Sequence, residues 1–132
     1  MGAFTAYGRS LLLNGLFVAP ATVGNTLIAL TSVIPGTADD VSRLVEPVVG
    51  SYARNAYPFA SGWEAGQAGE LFNRVAVTFI TPTADWGAIR GWALLTGDAA
   101  HVVATGELRQ VVVVKSAMSV VIPVHGIRAV LK

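Results

Sequence analysis

Apolar and polar residues alternate in short runs along the chain, and turn residues cut those runs every few positions. The most regular stretch is Val75 to Asp98, VAVTFITPTADWGAIRGWALLTGD. Val75, Val77 and Phe79 alternate with Ala76, Thr78 and Ile80, the period of two that a strand imposes on its two faces. Thr81-Pro82-Thr83 breaks the run, because proline lacks the N–H and fixes φ. Asp85-Trp86-Gly87 reads as a turn, with Asp85 accepting local backbone N–H groups. Gly87 would supply a φ or a close approach that a side chain forbids. Ala88–Leu95 resumes as a second strand and stops at Gly97-Asp98. The pattern predicts a central hairpin with Trp86 packed back on the sheet.

The rest of the chain supplies further strands. Phe4, Tyr7, Leu11 and Leu12 recur at helical spacing, which predicts a short amphipathic helix from about residue 3 to 14, ended by Asn14-Gly15. Thr26–Ile34 reads as a strand, and Pro35–Asp40 as a loop with Asp39-Asp40 at its tip. Val41–Val49, interrupted by Pro47, reads as an edge strand or an extended loop. Ser51–Phe59 reads as a strand and Ala60–Gly69 as turn material around Trp63. Ala99–Leu108 is a strand with Gly106 near its end, and the valine run Val111–Val114 suits a strand buried on both faces. Ser116–Ser119 turns into Val120–His125 and Ile127–Leu131, one bent strand or two short ones. About eight strand candidates between Gly/Pro turns predict a mainly β fold. The expectation is a β-sandwich or jelly-roll-like domain with one short N-terminal helix, a single unit over residues 1–132.

Composition adds one unusual fact. Hydrophobic residues make up 53% of the chain and charged residues only 13%, against roughly 25% charged in ordinary soluble domains. A surface so poor in charge suits a subunit that hides part of itself against neighbours, so self-association is expected. The net charge of +1, with no basic run, gives no reason to expect a nucleic-acid partner. Without cysteine, disulfides and thiolate metal sites are excluded. No apolar run approaches the roughly 18 residues of a membrane span. Leu11–Ala19 after Arg9 has the outline of a secretory leader, with Ala19-Pro20-Ala21 as a cleavage-like step. Asn14-Gly15 splits that run, and Phe4 and Tyr7 stand where basic residues belong, so no leader is expected. Met1-Gly2 opens like a myristoylation signal, but Ala6 stands where it needs Ser or Thr.

No motif carries chemistry. His101 and His125 lie in valine-rich strand contexts without a carboxylate or second histidine at metal-ligand spacing, and no Gly-x-Ser-x-Gly elbow is present. Asp39-Asp40 is not followed by a ligand series of the EF-hand type. Glu46, Glu64, Glu70, Asp85, Asp98 and Glu107 sit at or near predicted turns, and spacing pairs none of them across a cleft. The glycines at 62, 66 and 69 form no dinucleotide fingerprint. No catalytic residue, cofactor or metal is expected, and the chain reads as a non-enzyme. Trp63 and Trp86, on turns, and Tyr52 and Arg54, on a strand, are the candidates for an interface. Stacked on a sugar, Trp63 and Trp86 would instead make a carbohydrate-binding module.

The order of pieces resembles a known family. An Ala19-Pro20-Ala21-Thr22 step precedes the strand Thr26-Leu27-Ile28-Ala29-Leu30. Ser51-Tyr52-Ala53-Arg54, an Asn73 ahead of Val77-Thr78-Phe79, Thr83-Ala84-Asp85-Trp86-Gly87 and Ala93-Leu94-Leu95 follow. This resembles small tailed-bacteriophage virion proteins of the tail-fibre-like or minor structural type, over most of residues 5 to 108. The Tyr-Ala-Arg and Ala-Asp-Trp-Gly elements are its specific part. The insert Val41–Gly50 and the valine-rich carboxyl end depart from the pattern. The resemblance implies a non-enzymatic β-rich component located in the virion, partnered by major capsid or tail proteins. The leading expectation is a capsid decoration or minor capsid subunit on the head shell. A tail or tail-fibre component is the alternative within the class. From other classes come the carbohydrate-binding module and, more remotely, an enzyme using His101 as general base.

Overall fold

The alternating pattern resolves, in a computed structural model describing residues 2–6, 8, 25–58, 63–65 and 70–130, into ten strands. They are β1 (Gly2–Phe4), β2 (Asn25–Thr31), β3 (Asn55–Pro58), β4 (Trp63–Ala65), β5 (Glu70–Asn73), β6 (Val77–Thr78), β7 (Gly87–Leu95), β8 (Val102–Val114), β9 (Val121–Ile122) and β10 (Arg128–Val130). The fold is mainly β, as the alternation predicts. Eight strands form one sheet in the order β3-β2-β7-β8-β1-β10-β5-β4, and β6 and β9 form a separate ribbon. All pairings are antiparallel except β1 with β10. The two edge strands of the large sheet meet through their aromatic rings. Tyr57 on β3 and Trp63 on β4 lie edge to face with centroids 5.2 Å apart. The sheet must therefore curl around its own core.

Strands β2 and β7 are covered on both faces, and the period of two sorts their residues. Ile28, Leu30, Ile89, Trp92 and Leu94 enter the main core with Phe4, Val77, Phe79, Trp86 and Ile127. Ala29, Ala93 and Leu95 face the other way, beside Leu27 of β2 and beneath Val41 and Leu44 of the following loop. Ala29 and Ala93 are paired across the strands, and their small side chains let the loop that follows β2 lie close over the sheet. Inside the curl, Trp92 is paired with Gly106. An added Cβ on Gly106 would sit 2.5 Å from the indole ring, so only glycine leaves space for it. Asn73, fully buried, joins β5 to the turn before β10. Its Nδ2 donates to Val75 O (3.0 Å) and Pro123 O (2.8 Å), and its Oδ1 accepts from Ile127 N (2.8 Å).

Several sequence expectations change. The central hairpin does not form. β6 pairs with β9, while β7 pairs with β2 and β8, because proline at 82 ends one run before its register can pass to the next. The expected N-terminal helix gives way at its start to β1, where Phe4 is buried between strands that satisfy both edges of the backbone. Ala6 and Gly8 then lie in a helical turn, and residues 9–14 of that expectation fall outside the described residues, as do residues 19–22. Of the two readings of Val41–Val49, the structure has the extended loop, with a 3-10 turn at Val41–Arg43. Trp63–Ala65 is strand where turn was expected. The valine run is not buried on both faces. Val111, Val112 and Val113 are exposed and only Val114 is buried. Beyond Gly106, no described strand pairs with β8 on the edge that β1 occupies, and four residues, 108–111, stand opposite the single Arg90 of β7. The run forms a bulged arm, not a central strand.

Candidate interaction surface

The loop between β2 and β3, residues 32–54, is pinned along its length. Ser32 N donates to Val45 O (2.8 Å), and Thr105 Oγ1 donates to Gly36 O (2.8 Å). Asp39 accepts from Val102 N (2.7 Å) through Oδ1 and meets His101 Nδ1 (2.8 Å) through Oδ2. The two residues are 62 apart in sequence, which is why spacing gave His101 no carboxylate. Asp40 accepts from Ser42 N and Oγ, and the hydroxyl bond holds its carboxyl below the usual range. The acidic pair thus anchors a loop and starts a 3-10 turn. Among the described residues, no three His, Cys, Asp or Glu side chains gather as metal ligands would.

Glu46 is the centre of the loop's far end. Arg54 meets it as a fork, Nε to Oε1 at 3.0 Å and Nη2 to Oε2 at 2.7 Å, and this bond raises the guanidinium pKa further. Tyr52 OH donates to Oε1 (2.7 Å) and accepts from Leu30 N (2.9 Å). Burial, and then the Glu46 carboxylate, push the Tyr52 phenol well above its ordinary range. The Tyr52 ring lies edge-on to Trp86, with centroids 5.1 Å apart. Trp86 Nε1 donates to Gly50 O (2.9 Å), and Thr83 N donates to the same oxygen (3.0 Å). Gly50 has φ +69°, and a Cβ there would lie 2.6 Å from Ala84 O, so the position requires glycine. Asp85 does not cap its own turn. It accepts instead from Ser116 N (2.8 Å), tying this turn to the end of β8. Gly87 adopts φ +85° with open space around it, so conformation and not close approach explains it.

The structure therefore brings Tyr52, Arg54 and Trp86 into one cluster and leaves Trp63 apart, against Tyr57. Trp86 is 6% and Trp63 7% exposed, so both indole faces are covered. Exposed apolar surface lies elsewhere. One part is the loop tip Pro47-Val48-Val49, where Val48 is 93% exposed. Another is a groove of about 430 Å³ between the arm of β8 and Met118–Pro123. Leu108, Val112 and Val114 form one wall and Met118, Val121 and Ile122 the other, and none of its lining residues is charged. The signal that could have found the tip was there: two adjacent valines after a proline, in a loop.

The polar clusters of this mainly β protein hold its loops in place, and the lining of its groove is uncharged. The model of the family described as podophage GP4 fiber I protein gp80 matches residues 3–128, and the chain belongs to that family. No curated protein matches it. The chain is thus a tail-fibre-like bacteriophage virion protein, a structural component of the particle whose partners are other virion proteins.

Proposed function

We propose that the chain is a non-enzymatic subunit of the tail-fibre apparatus, self-associating and joined to other proteins of the tail. The family membership over residues 3–128 carries this reading, and it favours the fibre over the capsid decoration that was the leading expectation. Two features of the structure support a packing role over chemistry. Glu46, Arg54 and Tyr52 satisfy one another, and Asp39 is occupied by His101 and Val102 N, so these groups already have structural work. The covered faces of Trp63 and Trp86 remove the observation that motivated a carbohydrate-binding module. The test is the position of the chain in purified particles, which a fibre subunit occupies on the tail and a decoration subunit on the shell.

A further inference from the structure

The arm of β8 leaves an edge of the large sheet open. β1 covers β8 only as far as Gly106, which pairs with Gly2. From Glu107 to Val114, among the described residues, β7 lies on one side and no strand on the other. No described loop or turn backbone bonds to residues 107–113 in its place. Such an edge presents N–H and C=O groups at the spacing of a strand, and what fits it is another extended backbone. Of the usual guards on an open edge, the arm carries the bulge opposite Arg90 but no proline, and Val111, Val112 and Val113 stand exposed along it.

The side chains say which extended backbone. Leu108, Gln110, Val112 and Val114 line the groove, so by the period of two Glu107, Val111, Val113 and Lys115 fall on the other face. Glu107 and Lys115 are both exposed, and neither makes an ion pair among the described residues. They stand at equal distances in sequence on either side of Val111. If the arm pairs antiparallel with a second copy of itself about a two-fold axis at Val111, Glu107 of each copy stands opposite the partner's Lys115. A slip of one residue would set the groove face of one copy against the outer face of the other. A slip of two would set Glu107 opposite Val113 or Ala117, which are apolar. Unlike charges facing across a ladder favour a register and like charges oppose it, so the arm is complementary to itself in one register.

We infer that two copies of this chain join their large sheets edge to edge through residues 107–115, antiparallel and centred on Val111, with a Glu107–Lys115 pair at each end. The inference rests on the self-association proposed above and assigns the edge and the register that carry it. The contact is isologous, so it closes at two copies and leaves no open edge along the arm.

The test follows the full chain by sedimentation velocity at low ionic strength, where exposed charges are least screened. Both side chains are exposed, so Glu107→Lys and Lys115→Glu should each keep the wild-type circular dichroism. The wild type should form a dimer. Each single variant opposes like charges at both ends and should weaken that dimer about tenfold. An equal mixture of the two variants should recover it, because each position then faces a charge of the opposite sign. The double exchange within one chain should recover it for the same reason. If either recovery fails, the inference falls. It falls too if the wild type assembles but is indifferent to both substitutions, and that result leaves self-association standing. A wild type that is monomeric at all concentrations overturns both.

Discussion

Trp86 shows how one residue serves two elements at once. Its ring fills the core beside Tyr52, and its Nε1 holds the Gly50 carbonyl that shapes the exposed loop tip. Trp86→Ala should cost about 3–5 kcal/mol by urea denaturation, the range for losing a large buried aromatic. A near-unchanged stability would show that the ring serves a partner and not the fold. Tyr52 adds a pH signature. Burial raises its folded-state pKa above the ordinary 10.0, so the stability it contributes is complete below that value. As pH rises past it, the unfolded chain loses the phenolic proton first and that stability drains away. Wild type should therefore lose more stability between about pH 8 and about pH 11 than Tyr52→Phe does. Equal losses measured by denaturation at the two pH values would contradict the assignment. Sequence singled out both residues, Trp86 on a turn and Tyr52 on a strand, but not the partners. Glu46, six residues from Tyr52, and Gly50, 36 residues from Trp86, are brought in by the loop's path, which no local pattern encodes.

Elements were legible where periodicity acts alone and illegible where pairing decides. The runs at Thr26–Ile34 and Ala88–Leu95 became β2 and β7, because their alternation matches burial on two different faces. The hairpin failed because alternation announces a strand without naming its neighbour, and β6 found β9 some 40 residues on. β5 escaped notice altogether. Its four residues gain order from β4, β10 and the amide of Asn73, which is long-range information. That amide makes a direct prediction. Asn73→Ala would take one of two donors from Val75 O and from Pro123 O, which keep Tyr57 OH and Gly126 N, and would leave Ile127 N unpaired inside the fold. A buried group left unpaired costs about 1–3 kcal/mol. The variant should be destabilised more than a typical point mutant, read as a lower thermal midpoint with early loss of amide protection in β5 and β10. Protection equal to that of wild type at Ile127 would show that the staple is dispensable. The valine run teaches the complementary lesson. Four consecutive valines read as interior, yet no described strand pairs with the edge beside them and three of the four are exposed.

At the scale of the molecule, composition was the most informative signal. A chain with 13% charged residues was expected to hide surface against neighbours, and the exposed valines of the tip and of the β8 arm are part of the bare apolar surface, with Val33, Ile34, Val75, Ile80 and Val124. Composition had no means of separating head from tail, since both shell and fibre subunits bury apolar faces. The family match favours the fibre over the shell. The measurement that bears on it most directly is electron cryomicroscopy of purified particles carrying an antibody label on this chain. The account predicts label on projections attached to the tail, repeated around its axis, with the head shell clear. Label spread over the capsid lattice would contradict it and restore the decoration reading.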